Sequence, residues 1–160
     1  MRLTAGERER LDVLLKPYKN DPHVQEMKQY IHHGKVTTYD HCMNVTCVSF
    51  LMNRRLKLKA DEKALVTGAF LHDFYLYDWH KPEKYHRLHG YFHADVSMRN
   101  AITYFHIGAK EQEIIHCHMW PLNITRIPRC REAAIVCFAD KVCSTLETIA
   151  GRKRGLRICG

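Results

Sequence analysis

Apolar residues in this chain recur at three- and four-residue spacing and seldom alternate, the pattern of helices with one buried side rather than of half-buried strands. Leu11, Val13, Leu14 and Leu15 form a first group that ends near Pro17. A second short helix is predicted from Asn20 or Asp21, with Pro22 in its first turn. It carries Val24, Met27, Tyr30 and Ile31 on one side, and Gly34 closes it. Thr37 or Thr38 is suited to cap a long helix over about 39–56, with His41, Val45, Val48, Phe50 and Leu51 turned inward. Asp61 caps the next, which passes through Ala64, Leu65, Ala69, Phe70 and Leu71 to His72 and Asp73. The aromatic run from Phe74 to Trp79 leads into a polar loop around Pro82. Further helices are predicted over about 91–105, 110–118 and 131–149, with Gly108 after the first, Pro121 beyond the second and Gly151 after the last. The expected fold is all-α, one bundle of six to seven helices without a convincing strand. It occupies residues 1–160 as a single domain, with a core over about 39–147 and a basic tail over 151–160.

Composition narrows the class. At 46% hydrophobic and 26% charged, the 160 residues can bury a real core, which excludes disorder for the chain as a whole. The longest apolar stretches are broken within about ten residues, too short to span a bilayer. The first residues are charged throughout and lack the apolar middle of a signal peptide, so a cytoplasmic protein with no membrane partner is expected. The seven cysteines are odd in number and contain no C-x-x-C pair. Cys42, Cys47, Cys117, Cys137 and Cys143 lie in apolar segments, as free core thiols do.

The formal net charge of +8 favours anionic partners, among them phosphate esters, nucleotides, nucleic acid and acidic surfaces. Part of that excess lies in Arg152, Lys153, Arg154 and Arg157, at the end of the chain. Twelve histidines are the less ordinary count, and their placement is the more informative feature.

The candidate chemistry gathers on His41, the adjacent pair His72-Asp73, the pairs His89/His93 and His116/His118, and Asp140, each group on or beside a separate predicted helix. Neighbouring helix positions are about 100° apart, so His72 and Asp73 can line one cavity from a single helix end. His72 and Asp140 both follow strongly apolar runs, and an unpartnered aspartate there would cost several kcal/mol, on the order of an isolated buried charge. A metal ion is one partner that removes that cost; a capping role or an arginine partner is the plainer alternative. A histidine-rich set with two carboxylates suits iron, manganese or zinc better than calcium.

The order H…H-D…H…H…D on helices resembles the HD-domain superfamily of metal-dependent phosphohydrolases. The stretches that carry the likeness are Thr38-Tyr39-Asp40-His41, Gly68-Ala69-Phe70-Leu71-His72-Asp73 and Phe138-Ala139-Asp140-Lys141. The resemblance implies that His41, His72, Asp73 and Asp140 hold one metal, and that dinuclear members add two histidines before the last aspartate. His93, in His93-Ala94-Asp95-Val96-Ser97, is similar to the usual H-P-x-[IV]-[GA] turn with alanine for proline; His89, in Leu88-His89-Gly90, is its rival. His118 is preferred for the other position and His116 is the alternative, since on a helix the two point about 200° apart.

The resemblance implies divalent ions, two rather than one. Iron or manganese comes first, with zinc, magnesium or nickel as alternatives. It implies Asp73 as the bridge and a metal-bound hydroxide attacking phosphorus. Lys141 and His89 are candidates for binding phosphate or protonating the leaving oxygen, and Lys141 equally for orienting a ligand carboxylate. The expected partner is an anionic phosphate-containing small molecule or nucleotide, with nucleic acid less favoured.

Two other functions compete: a di-iron oxygenase of the same superfamily, which needs the same six ligands, and a degenerate helical domain that uses its basic surface to bind nucleic acid or a regulator. Tyr75, Tyr77, Trp79 and Trp120 are read as core rather than as a base-stacking wall. Arg54, Arg55, Arg126, Arg129 and Arg131 are read as solvated faces and caps, and His32, His33 and His80 as surface residues.

Overall fold

Helix starts follow the polar residues that can satisfy first-turn N–H groups. In the computed structural model, which describes residues 2–80 and 89–151, α1 (Ala5–Leu15) opens on a capping box between Thr4 and Glu7. The next helix, α2 (Pro22–Glu26), opens on Asp21. Thr37 caps α3 (Thr38–Arg55) and Asp61 caps α4 (Glu62–Leu71), each accepting from a backbone N–H that the helix leaves unpaired. Then come α5 (His89–Phe105), α6 (Ala109–Cys117) and α7 (Arg131–Gly151). The described residues thus form an all-α bundle of seven helices.

One expectation about local structure fails. Tyr30, Ile31 and Gly34 do not complete the second helix. After a 3-10 turn at Met27–Gln29 the chain makes a small antiparallel hairpin, β1 (Ile31–His33) with β2 (Val36–Thr37). Gly34, at φ 61°, lies in the turn between the strands, a left-handed conformation that costs glycine little. The β-branched residues Ile31, Val36 and Thr37 resist helix at this point, and too few residues precede the turn to repay helix nucleation. The hairpin packs on α3 and α7. The Pro82 loop and the basic tail from Arg152 onward lie outside the described residues.

The long helix α3 runs through the middle, packed chiefly between α4 and α7. One apolar cluster joins its Phe50 to Leu11, Leu15, Val24, Met27 and Phe70; a second joins Val45 and Val48 to Leu65, Ile114 and Val136. Burial of each such side chain contributes on the order of 1.5–3 kcal/mol. A Cβ built on Gly68 would lie 2.7 Å from Ile114 Cγ2 and 2.8 Å from Ile114 Cβ, so α4 and α6 meet here in contact that excludes a side chain. Gly68 and Ile114 each stand four residues, about one turn, before His72 and His118. Their close approach brings the ends of both helices, and both histidines, to the same place. None of the six described cysteines forms a disulfide.

Candidate metal centre

Five elements deliver the candidate ligands. His41 lies in the first turns of α3, His72 and Asp73 directly follow α4, His93 is on α5, His118 follows α6, and Asp140 is midway along α7. All six are between 0 and 6% exposed, so water does not solvate their charges. The imidazoles are aimed by their outer nitrogens. His72 Nδ1 donates to the Ala69 carbonyl at 2.8 Å, His93 Nδ1 to the His89 carbonyl at 2.8 Å, and His118 Nδ1 to the Ile115 carbonyl at 2.7 Å. His41 Nδ1 donates to Glu147 Oε2 at 2.8 Å, and Asn44 donates to the other oxygen of Glu147, also at 2.8 Å. Carbonyls and carboxylates only accept, so each Nδ1 carries the proton and each neutral imidazole turns an Nε2 lone pair inward.

Asp73 divides the set in two. Its Oδ2 is 3.5 Å from His72 Nε2 and 3.8 Å from His41 Nε2; its Oδ1 is 3.2 Å from His93 Nε2 and 3.4 Å from His118 Nε2. Asp140 Oδ1 joins the first half, 3.2 Å from His41 Nε2 and 3.8 Å from His72 Nε2. With the imidazoles neutral in this tautomer, four lone pairs and two carboxylates converge with no donor among them. His72 Nε2 and Asp73 Oδ1 are buried without a hydrogen bond, and the Nε2 atoms of His93 and His118 face each other at 2.9 Å. Such a nest is stable only around positive charge, and its donor types suit one or two borderline divalent ions. The residues therefore fit the metal that their chemistry implies.

The electrostatics agree. Burial alone would raise the Asp73 carboxyl, but His72, His93 and His118 hold it well below its ordinary range. Burial is likewise outweighed at Asp140, which His41 and His72 hold down. Burial would lower His41, yet hydrogen bonds to Asp140 and Glu147 push it up to about 10, and His72 also rises well above its usual value, overcoming burial chiefly through the charge of Asp73. His118 goes the other way, lowered by burial and by the charge of His72 to about 4.

The remaining candidates lie at various distances from this cluster. His93, not His89, has Nε2 in it; His89 stacks on His93 (4.5 Å between centroids, 17°) and on Trp79 (5.1 Å, 13°). His116 points away from it to Asp95, 3.3 Å distant, which Arg126 also grips with two hydrogen bonds of 3.0 and 2.8 Å. Lys141 Nζ donates to the His118 carbonyl at 2.6 Å and to Asp140 Oδ2 at 3.0 Å, so it orients one candidate ligand and braces another. Arg54 and Arg55 pair with Glu62 and Glu7, and Arg131 donates to the Leu58 and Lys59 carbonyls.

Sequence reasoning misplaced His32 and missed Glu147. Although expected at the surface, His32 is buried, because the hairpin carries it inward against the cluster. Its Nδ1 is 3.6 Å from Asp73 Oδ2, and its ring stacks on His41 at 3.9 Å and 21°. With His41 and Asp73 it makes a trio close enough to hold an ion. A nitrogen lone pair lies in its ring plane, and two rings stacked nearly parallel have no nearby point common to both planes, so as arranged they do not share an ion. His80 is exposed, as expected. Glu147 had a usable signal, since it stands seven residues, two turns, after Asp140 on the same face of α7. A pocket of about 370 Å³, within the range of small-molecule sites, opens onto the cluster. Asp73, His93, His118 and Asp140 line it together with His32, Trp79, His89, Met119 and Lys141.

A helical bundle that closes on a buried nest of histidines and carboxylates is the frame of a metalloprotein. The sequence model of the HD domain matches residues 38–145, about two-thirds of the chain, and the protein belongs to the HD domain family. Membership places it in a superfamily of metal-dependent phosphohydrolases. No curated protein and no solved structure matches it. His32 and Glu147 both lie outside the matched span, yet both engage His41.

Proposed function

We propose that the protein is a metal-dependent phosphohydrolase acting on a phosphate ester or nucleotide. The observation that supports this best is the division of four Nε2 lone pairs between the two oxygens of Asp73, with Asp140 completing one half. In this reading His41, His72, Asp73 and Asp140 would hold one divalent ion, and His93, His118 and Asp73 would hold a second. When bound, such ions activate water and offset charge on a phosphoryl group. The chain's own groups do the rest. Backbone carbonyls and Glu147 keep the imidazoles in the ligating tautomer, as outer partners of metal-bound histidines do. Lys141 donates to Asp140 Oδ2 and so holds the carboxylate turned with its other oxygen to the cluster. The pocket of about 370 Å³ beside the cluster has room for a small substrate.

The test is elemental analysis of wild type and Asp73→Ala purified side by side, followed by phosphate release from a panel of esters with and without dioxygen. About two ions per chain, lost in the variant, and oxygen-independent release of phosphate support the reading. A wild-type protein that holds no metal after anaerobic reconstitution refutes it.

A further inference from the structure

Helix α7 is apolar on the side that packs and also on the side turned to solvent. Ala133, Val136, Ala139 and Cys143 are buried on its inner side, toward α3, α4 and α6. At about 100° per residue, Ala134, Phe138, Val142, Thr145 and Ile149 lie together on the opposite side. All of these but Val142, which is half-buried, are exposed, and so is Leu146 at the edge of the stripe. Over about four turns, from Ala134 to Ile149, the stripe holds no charged residue, although the outer face of a surface helix ordinarily does. Its threonine adds little polarity, because Thr145 donates its hydroxyl to the Lys141 carbonyl one turn back, at 2.7 Å.

The chain between α6 and α7 extends this surface. Cys137 Sγ donates to the Trp120 carbonyl at 3.0 Å, which ties the connection to the Phe138 end of the stripe. Phe138, Leu146, Ile149, Trp120 and Leu122 are each between 37 and 59% exposed. Half-exposed side chains of this size present on the order of 100 Å² each, so the five offer roughly 500 Å² of apolar surface. Lone apolar residues at a surface need no explanation, but a joined area of this size marks a place where something binds. A two-fold interface of ordinary size covers about 800 Å² per copy and is about 65% apolar between identical chains, which asks for about 500 Å² from each. Charge selects the same occupant. The chain has a formal net charge of +8, so two copies repel where basic surfaces meet and approach where charge is absent.

We propose that this side of α7, with Trp120 and Leu122, is the interface of a homodimer. Two copies pack it antiparallel about a two-fold axis near Val142, so that Phe138 of each copy meets Leu146 of the partner subunit. One patch then serves both copies, as a self-complementary apolar stripe permits. The inference stands apart from the phosphohydrolase reading. It does place the second copy beside the pocket, since Thr145 of the stripe and Lys141 on its flank both line that pocket.

The experiment measures mass by sedimentation equilibrium on the purified full chain, for wild type, Phe138→Glu, Leu146→Glu and Val13→Glu, with helical content from circular dichroism on the same samples. Wild type is expected at twice the mass of one chain at about 10 µM, a concentration that populates dimers of micromolar or tighter affinity. Phe138→Glu and Leu146→Glu should weaken association about a hundredfold or more and sediment as single chains, because each dimer buries the new charge twice. Val13→Glu, at an exposed apolar position on α1, should stay dimeric. Leu146→Glu decides the case if Phe138→Glu loses its helical signal. A wild type that remains a single chain at about 100 µM overturns the inference. So does a dimer that neither α7 variant weakens, or that Val13→Glu weakens equally. A single chain that co-sediments with phosphatidylcholine vesicles overturns it too, since the face would then meet lipid. Mass is read without a phosphate assay, so failure here and failure of the phosphohydrolase reading are distinct results.

Discussion

Substituting Gly68 by alanine tests whether the helix contact below the cluster is what brings its two halves together. On an open helix this change is stabilising, by about 1 kcal/mol, because alanine has less backbone freedom to lose. Here the new Cβ would stand 2.7–2.8 Å from three carbons of Ile114, including its Cβ, where ordinary carbon contacts are about 3.5–4.0 Å. Ile114 is fully buried, and its Cβ cannot rotate away. The clash is therefore relieved only by moving α6 from α4 by roughly 0.7–1 Å, judged against that contact distance. Overpacking of this kind costs about 1–3 kcal/mol. With the propensity gain subtracted, a net loss of about 0–2 kcal/mol is expected, or up to several degrees in melting temperature for a chain of this size. His72 and His118, one turn further along the same two helices, have ring centroids 4.9 Å apart, and a shift of the helices separates them directly. Metal affinity should then fall more than stability does. Urea denaturation of the metal-free protein and chelator competition on the loaded protein read the two effects separately. A variant more stable than wild type by the open-helix amount, with unchanged metal affinity, would show that the contact is not tight and that the argument is wrong.

Other outcomes follow from particular bonds. Glu147→Gln should lower metal affinity about 10–100-fold in chelator competition, because the amide cannot hold His41 as a carboxylate does and presents a donor to Asn44; unchanged affinity would remove Glu147 from the site. His116→Ala should leave metal content as in wild type, since His116 faces Asp95; loss of an ion on elemental analysis would reverse that assignment. Metal binding at about pH 8 should release a proton from His41, pushed up to about 10, with a further contribution from His72, whose pKa is also raised, and none from His118, lowered to about 4. As pH falls, protons compete better for the first two and affinity drops; calorimetry in buffers of different ionisation enthalpy counts them, and a count of zero would contradict the raised values.

Much of this molecule is written locally. Thr37 and Asp61 mark helix starts by chemistry that acts within one turn, and the spacing of Val45, Val48 and Leu51 marks a buried helix face wherever the rest of the chain goes. The candidate ligands that folding buries together were legible as candidates for the same reason: an aspartate such as Asp140 inside an apolar run calls for a partner. What the sequence left open was direction. His89 and His93, one turn apart on a single helix, are the same residue type, and only folding decides that His93 turns Nε2 to the cluster while His89 meets the Tyr77 hydroxyl and stacks on Trp79. His32 is the extreme case. Its place against His41 depends on a hairpin turning at Gly34 and docking on α3 and α7, long-range packing for which no periodicity is a signal. Sequence by itself determined the helices and the inventory of donors, because propensity and burial act over a few residues. Tertiary structure decided which lone pairs meet, because that depends on five elements arriving at one point.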